Sequence, residues 1–291
     1  MNRVGIHGMV WVGGTTAEDF ETAIAGSRAT GYDLIELPVF DPATMPVADI
    51  VRSLERHDLG VRCSLGLPRD KDISSADRAT SARGEALLHD VISVGRDIGA
   101  DFVGGVISSA MTKYMEMPSA EGRANAVAAF RRLAEQAAAS GITLGLEVVN
   151  RYESNLVNTA EEALALIDEI GAPNVTVHLD SYHMNIEEDD FRTPVLVCGD
   201  RLGYVHIGEN HRGYLGAGHI DFGQLFGALR EVGYTGAVTF ESFSSAVLEP
   251  NVSNTLGIWR NLWSDSEDLA RQARRYIADQ LGQPIRPDAA A

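Results

Sequence analysis

Four residues carry the chemistry this chain could do: Glu147, Asp180, His206 and Glu241. Each closes a short apolar run: Leu144–Glu147, His178-Leu179-Asp180, Tyr204-Val205-His206 and Phe240-Glu241. Burying an ionised carboxylate with no partner costs several kcal/mol or more. Glu147, inside such a run, therefore calls for a metal, a cation or a chemical task. A lone acid at a strand end is more often a loop cap or an ion-pair partner. Two Glu, one Asp and one His at four consecutive strand ends are harder to explain that way. They form a hard, oxygen-rich donor set with one imidazole, suited to Mn²⁺, Mg²⁺ or Co²⁺ with positions left for substrate oxygens. The set is poorer in nitrogen and sulfur than a structural zinc site.

Such residues need elements to hold them. Strands are expected at Val4–Val10, Leu34–Val39, Val61–Leu65, Phe102–Ile107, Thr143–Val149, Val175–Leu179, Leu202–Ile207 and Ala237–Phe240. Helical patterns lie between them, at Thr16–Thr30, Pro46–Asp58, Glu85–Ile98, Ala120–Ala139, Ala160–Ile170 and Asp221–Val232. Gly31, Gly60, Gly99, Gly141, Gly171 and Gly233 follow helices as stop signals. Eight strand-then-helix units in 291 residues predict one α/β domain, a (β/α)8 TIM barrel spanning 1–291. Residues 264–291 are expected as a C-terminal helix, around Ser266–Leu281, and a frayed Pro/Ala-rich tail. A dinucleotide-binding sheet loses its signature, because Gly13-Gly14-Thr15-Thr16 after the first strand reads as a loop with Thr at a helix N-cap. In a barrel, strand C-termini carry the active site.

Composition narrows the partners. The net charge of −17 repels polyphosphate, so no nucleic acid is expected. No apolar run is long enough to span a bilayer. Only two cysteines, Cys63 and Cys198, and no signal-peptide pattern point to a reducing, cytoplasmic setting. No Gly-rich helix start offers a phosphate site, which argues against phosphorylated substrates.

Other residues have plainer readings. His178, two before Asp180, is expected as a packed, hydrogen-bonded barrel residue, with a fifth ligand as the alternative. His183 can reach over the barrel mouth, and His211 and Arg212 follow the seventh strand by a similar margin. His57 and His89 fall in helical, exposed positions, and His219 in a solvent-exposed loop. Asn185-x-x-Glu188 resembles a capping arrangement at the start of a short helix. Met111, Tyr114 and Met115 could form a lid or pack as plain loop. Leu256, Trp259 and Trp263 at helical spacing could cover the barrel or form a subunit contact.

Four blocks then carry a family resemblance: Glu147-Val-Val-Asn-Arg-Tyr-Glu153, Leu179-Asp-Ser-Tyr-His-Met-Asn-Ile-Glu-Glu188, Val205-His-Ile-Gly-Glu-Asn-His-Arg212 and Phe240-Glu-Ser-Phe243. The chain resembles the ketose 3-epimerases (D-tagatose, D-allulose and L-ribulose 3-epimerases) among the xylose-isomerase-like barrels, over nearly its whole length. The resemblance implies one divalent metal ion per subunit, Mn²⁺ first, with Mg²⁺ or Co²⁺ as alternatives. Glu147, Asp180, His206 and Glu241 would hold it, with Glu147 and Glu241 doubling as the acid/base pair. It implies that Glu153, His183 and Arg212 hold the carbonyl-end oxygens of a ketose. His7, where several members have an aromatic, Ser64 and Val106 would line the far end of the pocket. It also implies a homodimer or homotetramer. The implied reaction removes the C3 proton to give a cis-enediolate, with O2 and O3 on the metal, and returns a proton from the opposite face. Two separate bases are needed, since one base on one face restores the starting stereochemistry. The rival readings are an aldose–ketose isomerase of the hydroxypyruvate or rhamnose type, a metal-dependent phosphodiester endonuclease, and a non-catalytic sugar-binding protein.

Overall fold

The computed structural model describes residues 1–285; the end of the tail expected to fray, residues 286–291, lies outside them. Eight parallel strands close into a barrel in sequence order. They are β1 (Val4–His7), β2 (Leu34–Pro38), β3 (Gly60–Leu67), β4 (Phe102–Ala110), β5 (Thr143–Glu147), β6 (Val175–Asp180), β7 (Leu202–Ile207) and β8 (Ala237–Phe240). β1 closes the ring on β8, with Val4 beside Val238 and Ile6 beside Phe240. The helices are α1 (Ala17–Ala29), α2 (Val47–His57), α3 (Arg78–Ile98), α4 (Ala120–Ala139), α5 (Ala160–Ile170), α6 (Ser181–Glu187), α7 (Thr193–Cys198), α8 (Phe222–Glu231), α9 (Pro250–Thr255) and α10 (Ser266–Leu281). Among the described residues no helix is long and apolar enough to cross a membrane.

The principal core lies between the outer strand faces and the helices. It takes in Ile24, Ile35, Leu88, Val91, Phe130, Leu133, Leu166 and Phe226. Inside the barrel, Leu34, Phe102, Tyr204 and Ala237 form a second, smaller cluster. Glycine makes room for it: a Cβ on Gly145 would lie 2.1 Å from the Phe102 ring. The Arg62 guanidinium sits 4.8 Å over Phe102 and 4.6 Å over Tyr204 and is anchored to Asp101 by a 3.0 Å bond. Large rings thus plug the barrel below its polar upper layer, which is the layer that carries the site.

The element boundaries differ from expectation where polar side chains intervene. β1 stops at His7 rather than Val10, because the His7 Nδ1 accepts from Met9 N and starts a 3₁₀ turn at Gly8–Val10. β5 ends at Glu147, and the chain turns outward through Val148, whose N–H still donates to His178 O. α3 begins seven residues before the expected Glu85, capped by Asp77, which accepts from Ala79 N and Thr80 N. Thr16 caps α1 as expected, reciprocated by Asp19. Gly99 and Gly171 stop their helices in the left-handed region, but at α2 that role falls to Asp58 (φ 48°), and Gly60 already belongs to β3. The Asn185–Glu188 cap is not formed. α6 is capped five residues earlier, by Asp180, Asn185 lies within it, and Glu188 accepts from Ala160 N at the head of α5. Asp190 supplies the next cap, accepting from Arg192 N and Thr193 N.

Candidate active site

The last four strands end in one place. Glu147 is the last residue of β5, Asp180 the last of β6, His206 lies one before the end of β7, and Glu241 follows β8 directly. Strand register pairs Asp180 with His206 across β6–β7 and His206 with Thr239 across β7–β8. All four side chains are buried. Glu147, His206 and Glu241 line a cavity of about 390 Å³ at the strand C-termini; Asp180 lies behind the lining. Met9, Phe40, Leu67, Val252 and Leu256 add an apolar part to the lining.

The donor atoms converge. The His206 Nδ1 lies 3.7 Å from Glu147 Oε1 and 3.4 Å from Glu241 Oε1. That nitrogen is buried and makes no hydrogen bond. Asp180, His206 and Glu241 each offer a ligand atom within 4.8 Å of the others, as do Glu147, Asp180 and His183. Donors bound to one ion at about 2.1 Å stand roughly 3 Å apart along an octahedral edge. A small contraction of this set would meet that spacing, so the cluster has the geometry and the donor chemistry to hold a divalent cation.

The electrostatics divide the two glutamates. Burial pushes Glu147 up to about 8, with Glu241 and Asp180 adding to the rise and His206 opposing it. Glu241 is equally buried, yet the Arg212 guanidinium beside it holds its carboxyl below the usual range. Arg212 Nη1 bonds Glu241 Oε2 and reaches Asp180 Oδ2 at 3.3 Å. Its guanidinium stacks 3.7 Å over the Tyr182 ring. The Arg212 backbone is left-handed (φ 58°), a conformation that costs a non-glycine residue about 1–3 kcal/mol. Three contacts hold it there: Arg212 N donates to Glu209 O, and Arg212 O accepts from Ser242 Oγ at 2.5 Å and Trp263 Nε1 at 3.2 Å.

His183 is set by Asn150. Its Nδ1 accepts from the Asn150 side chain at 2.8 Å and the Asn150 backbone N–H at 3.2 Å. This assigns the ring proton to Nε2, which faces Asp180 Oδ2 at 3.6 Å and Glu147 Oε1 at 3.9 Å. Burial pushes His183 down to about 3, so the ring is neutral. The same Asn150 amide donates to Glu153 Oε1 at 3.0 Å. Burial raises the Glu153 carboxyl.

A family model described as Xylose isomerase-like TIM barrel matches residues 24–280. A ketose 3-epimerase of Arthrobacter globiformis is 48% identical over 279 residues, 96% of each chain. An L-ribulose 3-epimerase of Methylomonas sp. (strain DH-1) is 50% identical, over 94% of this chain and 96% of its own. The crystal structure of a Methylomonas sp. D-allulose 3-epimerase in complex with D-allulose superposes with a TM-score of 0.94 at 48% identity, covering 96% of this chain and 97% of that one. The chain belongs to the ketose 3-epimerase family. It is an enzyme of the isomerase class, as the resemblance of the four sequence blocks implied. The sugar-binding and endonuclease readings fall away.

Within this epimerase the cavity brings together nearly every residue singled out from the sequence. Glu147, His206, Glu241, Glu153, His183, Arg212, His7, Ser64 and Val106 all line it. His7 Nε2 lies 3.4 Å from Ser64 Oγ. His211 turns back to accept from Gly213 N and does not line the cavity, nor do His57, bound to Glu21, or His89, bound to Gln136. His219 is exposed, as expected. His178 is packed as expected, against the Tyr204 and His206 rings, but neither ring nitrogen has a hydrogen-bond partner; one of them lies within 4.8 Å of ligand atoms of Glu147 and His206.

Two expectations about loops change. Of the Ser108–Pro118 residues only Met111 lines the cavity. Tyr114 is tied down, donating to Asp72 Oδ2 at 2.6 Å, and Met115 points into solvent. Leu256, Trp259 and Trp263 do not share a helix face, since α9 ends at Thr255. Leu256 lines the cavity, Trp259 is exposed, and Trp263 is buried where it fixes Arg212. Sequence reasoning missed Glu36, Asn150 and Trp263 as parts of the site. Glu36, a carboxylate inside Leu34-Ile-Glu-Leu-Pro38, carries the same signal that drew attention to Glu147.

Proposed function

We propose that this enzyme inverts C3 of free ketoses, with D-allulose/D-fructose and L-ribulose/L-xylulose as the first pairs to test. The observation that carries the reading is the pair of buried glutamates, Glu147 and Glu241, each within 3.7 Å of the same imidazole nitrogen in one cavity. Two carboxylates at one site let one take a proton while the other gives one. Relatives named for L-ribulose and D-allulose support the choice of sugars. D-Tagatose/D-sorbose is the next pair.

Glu147, Asp180, His206 and Glu241 would hold one divalent ion, Mn²⁺ before Mg²⁺ or Co²⁺. When bound, the ion would supply Lewis-acid stabilisation of the negative charge that develops beside C3. The rest is done by side chains. One glutamate takes the C3 proton, and the other delivers a proton to the opposite face of the planar intermediate. Which acts as base depends on the epimer bound, because the reaction is reversible. Such positioned groups typically contribute about 10²–10⁴-fold. The His183 Nε2–H and the Arg212 guanidinium donate to the ketose oxygens at the carbonyl end, and Glu153 accepts there. A donor aimed at developing charge is worth about 3–4 kcal/mol. His7, Ser64 and Val106 face the other end of the sugar. The two free, buried cysteines fit a reducing, cytoplasmic setting.

The test is a product assay on chelator-stripped protein with Mn²⁺, Mg²⁺ or Co²⁺ added back. D-fructose should give D-allulose, L-ribulose should give L-xylulose, and neither should give an aldose. In deuterated water epimerisation should carry solvent deuterium into C3, and Glu147→Gln and Glu241→Gln should each abolish epimerisation. Aldose as the main product would turn the reading to an aldose–ketose isomerase, and epimerisation retained in either variant would sink the two-base scheme.

A further inference from the structure

Below the donor cluster lies a carboxylate that the two-glutamate scheme does not use. Glu36, on β2, is fully buried and also borders the cavity. Its Oε2 accepts from His206 Nε2 at 2.7 Å and from the Tyr204 hydroxyl at 2.6 Å. Tyr204 is in turn hydrogen-bonded to Thr239 Oγ1 at 2.6 Å. Its Oε1 has no hydrogen bond but faces His7 Nε2 at 3.5 Å. Because the His7 Nδ1 accepts from Met9 N, the His7 proton sits on Nε2, aimed at Glu36 and Ser64.

A charge buried this deep needs a role beyond stability. An apolar residue of similar volume is often as stabilising as a buried ionic group, and sometimes more so. Nor is Glu36 the counter-ion of the Arg62 beside it in register, because Arg62 bonds Asp101 instead. Its two oxygens point instead at two histidines, His206 and His7, whose ring centroids lie 6.4 Å apart. With Nε2–H given to Glu36, the only free nitrogen of His206 is Nδ1, and that nitrogen faces Glu147 and Glu241.

We propose that Glu36 is a positioning residue that presents His206 Nδ1 to a divalent ion, while its other oxygen faces the neighbouring His7. The inference rests on the divalent-ion reading above. A carboxylate behind a ligating histidine fixes its tautomer and ring orientation and raises its basicity, and losing one typically costs 10–100-fold in metal affinity. Tyr204 fixes Glu36 in the same way one step further back.

The experiment is a Mn²⁺ titration of chelator-stripped, full-length protein, followed by the loss of the free aqueous Mn²⁺ signal in electron paramagnetic resonance. Thermal unfolding of the ion-free protein is recorded alongside. The unaltered protein should bind one Mn²⁺ per chain. Glu36→Gln keeps the shape and should bind it about 10–100-fold more weakly. Tyr204→Phe leaves the His206–Glu36 bond and should weaken binding about two- to tenfold. Epimerase kcat of Glu36→Gln should recover most of its loss at saturating Mn²⁺, a response that a merely structural defect would not give. If the unaltered protein takes up no Mn²⁺, the divalent-ion reading falls and this one with it. If it does bind, and folded Glu36→Gln binds as tightly, only the role of Glu36 is overturned. Should Glu36→Gln fail to fold, Tyr204→Phe decides, and an unchanged affinity there overturns the proposal.

Discussion

Asn150 offers the sharpest test of how the site is held, because one amide group orients two residues that line the cavity. Its Nδ2 donates to His183 Nδ1 at 2.8 Å and to Glu153 Oε1 at 3.0 Å, and the residue is 1% exposed. Asn150→Ala deletes both bonds, and with them the one its Oδ1 accepts from Tyr152 N at 2.9 Å, a loss of about 2–3 kcal/mol. For a chain of this size that should lower Tm by roughly 4–10 °C. The His183 Nδ1 keeps the backbone N–H of residue 150 at 3.2 Å, so the ring loosens rather than turns over. A loosened donor forfeits part of the roughly 10²–10³-fold that a full donor supplies, so kcat/KM should fall about 10–100-fold. Asn150→Asp is closer in shape but should be worse. It sets a second carboxylate against Glu153 and favours a proton on His183 Nδ1, stripping Nε2 of the hydrogen it aims at the site. Melting curves and steady-state epimerisation of D-allulose and L-ribulose would measure both variants. A folded Asn150→Ala within twofold of the unaltered kcat/KM, or Asn150→Asp outperforming it, would refute the reasoning.

Trp263→Phe removes one of the two side-chain donors to Arg212 O and keeps the ring packing. It should raise KM several-fold with a smaller change in kcat, and an unchanged KM in steady-state kinetics would mean that Ser242 and Glu209 suffice to hold Arg212. Asp101 is partly buried; burial opposes its ionisation, but Arg62 and Arg3 hold its carboxyl below the ordinary 3.8. A depressed folded-state value gives stability that is present above the unfolded value and lost as pH falls through the folded one. Asp101→Asn should therefore lower Tm at pH 7, with the gap to the unaltered protein closing below about pH 4 in melts across the acid range. Sedimentation should find a dimer or tetramer of the 31.3 kDa chain, and a monomer at working concentration would remove the subunit-contact reading of Trp259.

The fold was legible because eight short apolar runs alternate with longer helical patterns, most of which stop at a glycine, and run length separates strand from helix where period does not. Boundaries went astray where one polar group outweighed the pattern. The polar first turns of α3 hide a helix that Asp77 caps, and the His7 side chain ends β1 three residues early. The strand-end set Glu147, Asp180, His206 and Glu241 was legible for the opposite reason. Each is a hydrophilic residue at the end of a strand, and barrel topology alone brings four such ends together.

What sequence reasoning passed over acts through contacts whose partners are distant in the chain. Glu36 meets His206 across 170 positions, and Trp263 meets Arg212 across 51. Neither spacing leaves a local periodic trace. Glu36 nonetheless broke the apolar pattern of its strand as Glu147 broke its own, and the cost of burying either charge is of the same kind. The difference is one of barrel layer. Glu147 stands at the last residue of β5, where strand ends draw attention, whereas Glu36 lies two residues short of the end of β2. In a barrel whose inner layers are usually filled by branched apolar side chains, a carboxylate below the rim is the stronger anomaly. Reading inward-facing polar residues one layer beneath the strand ends would have singled out Glu36, Tyr204 and Thr239 together, the three residues that stand behind His206.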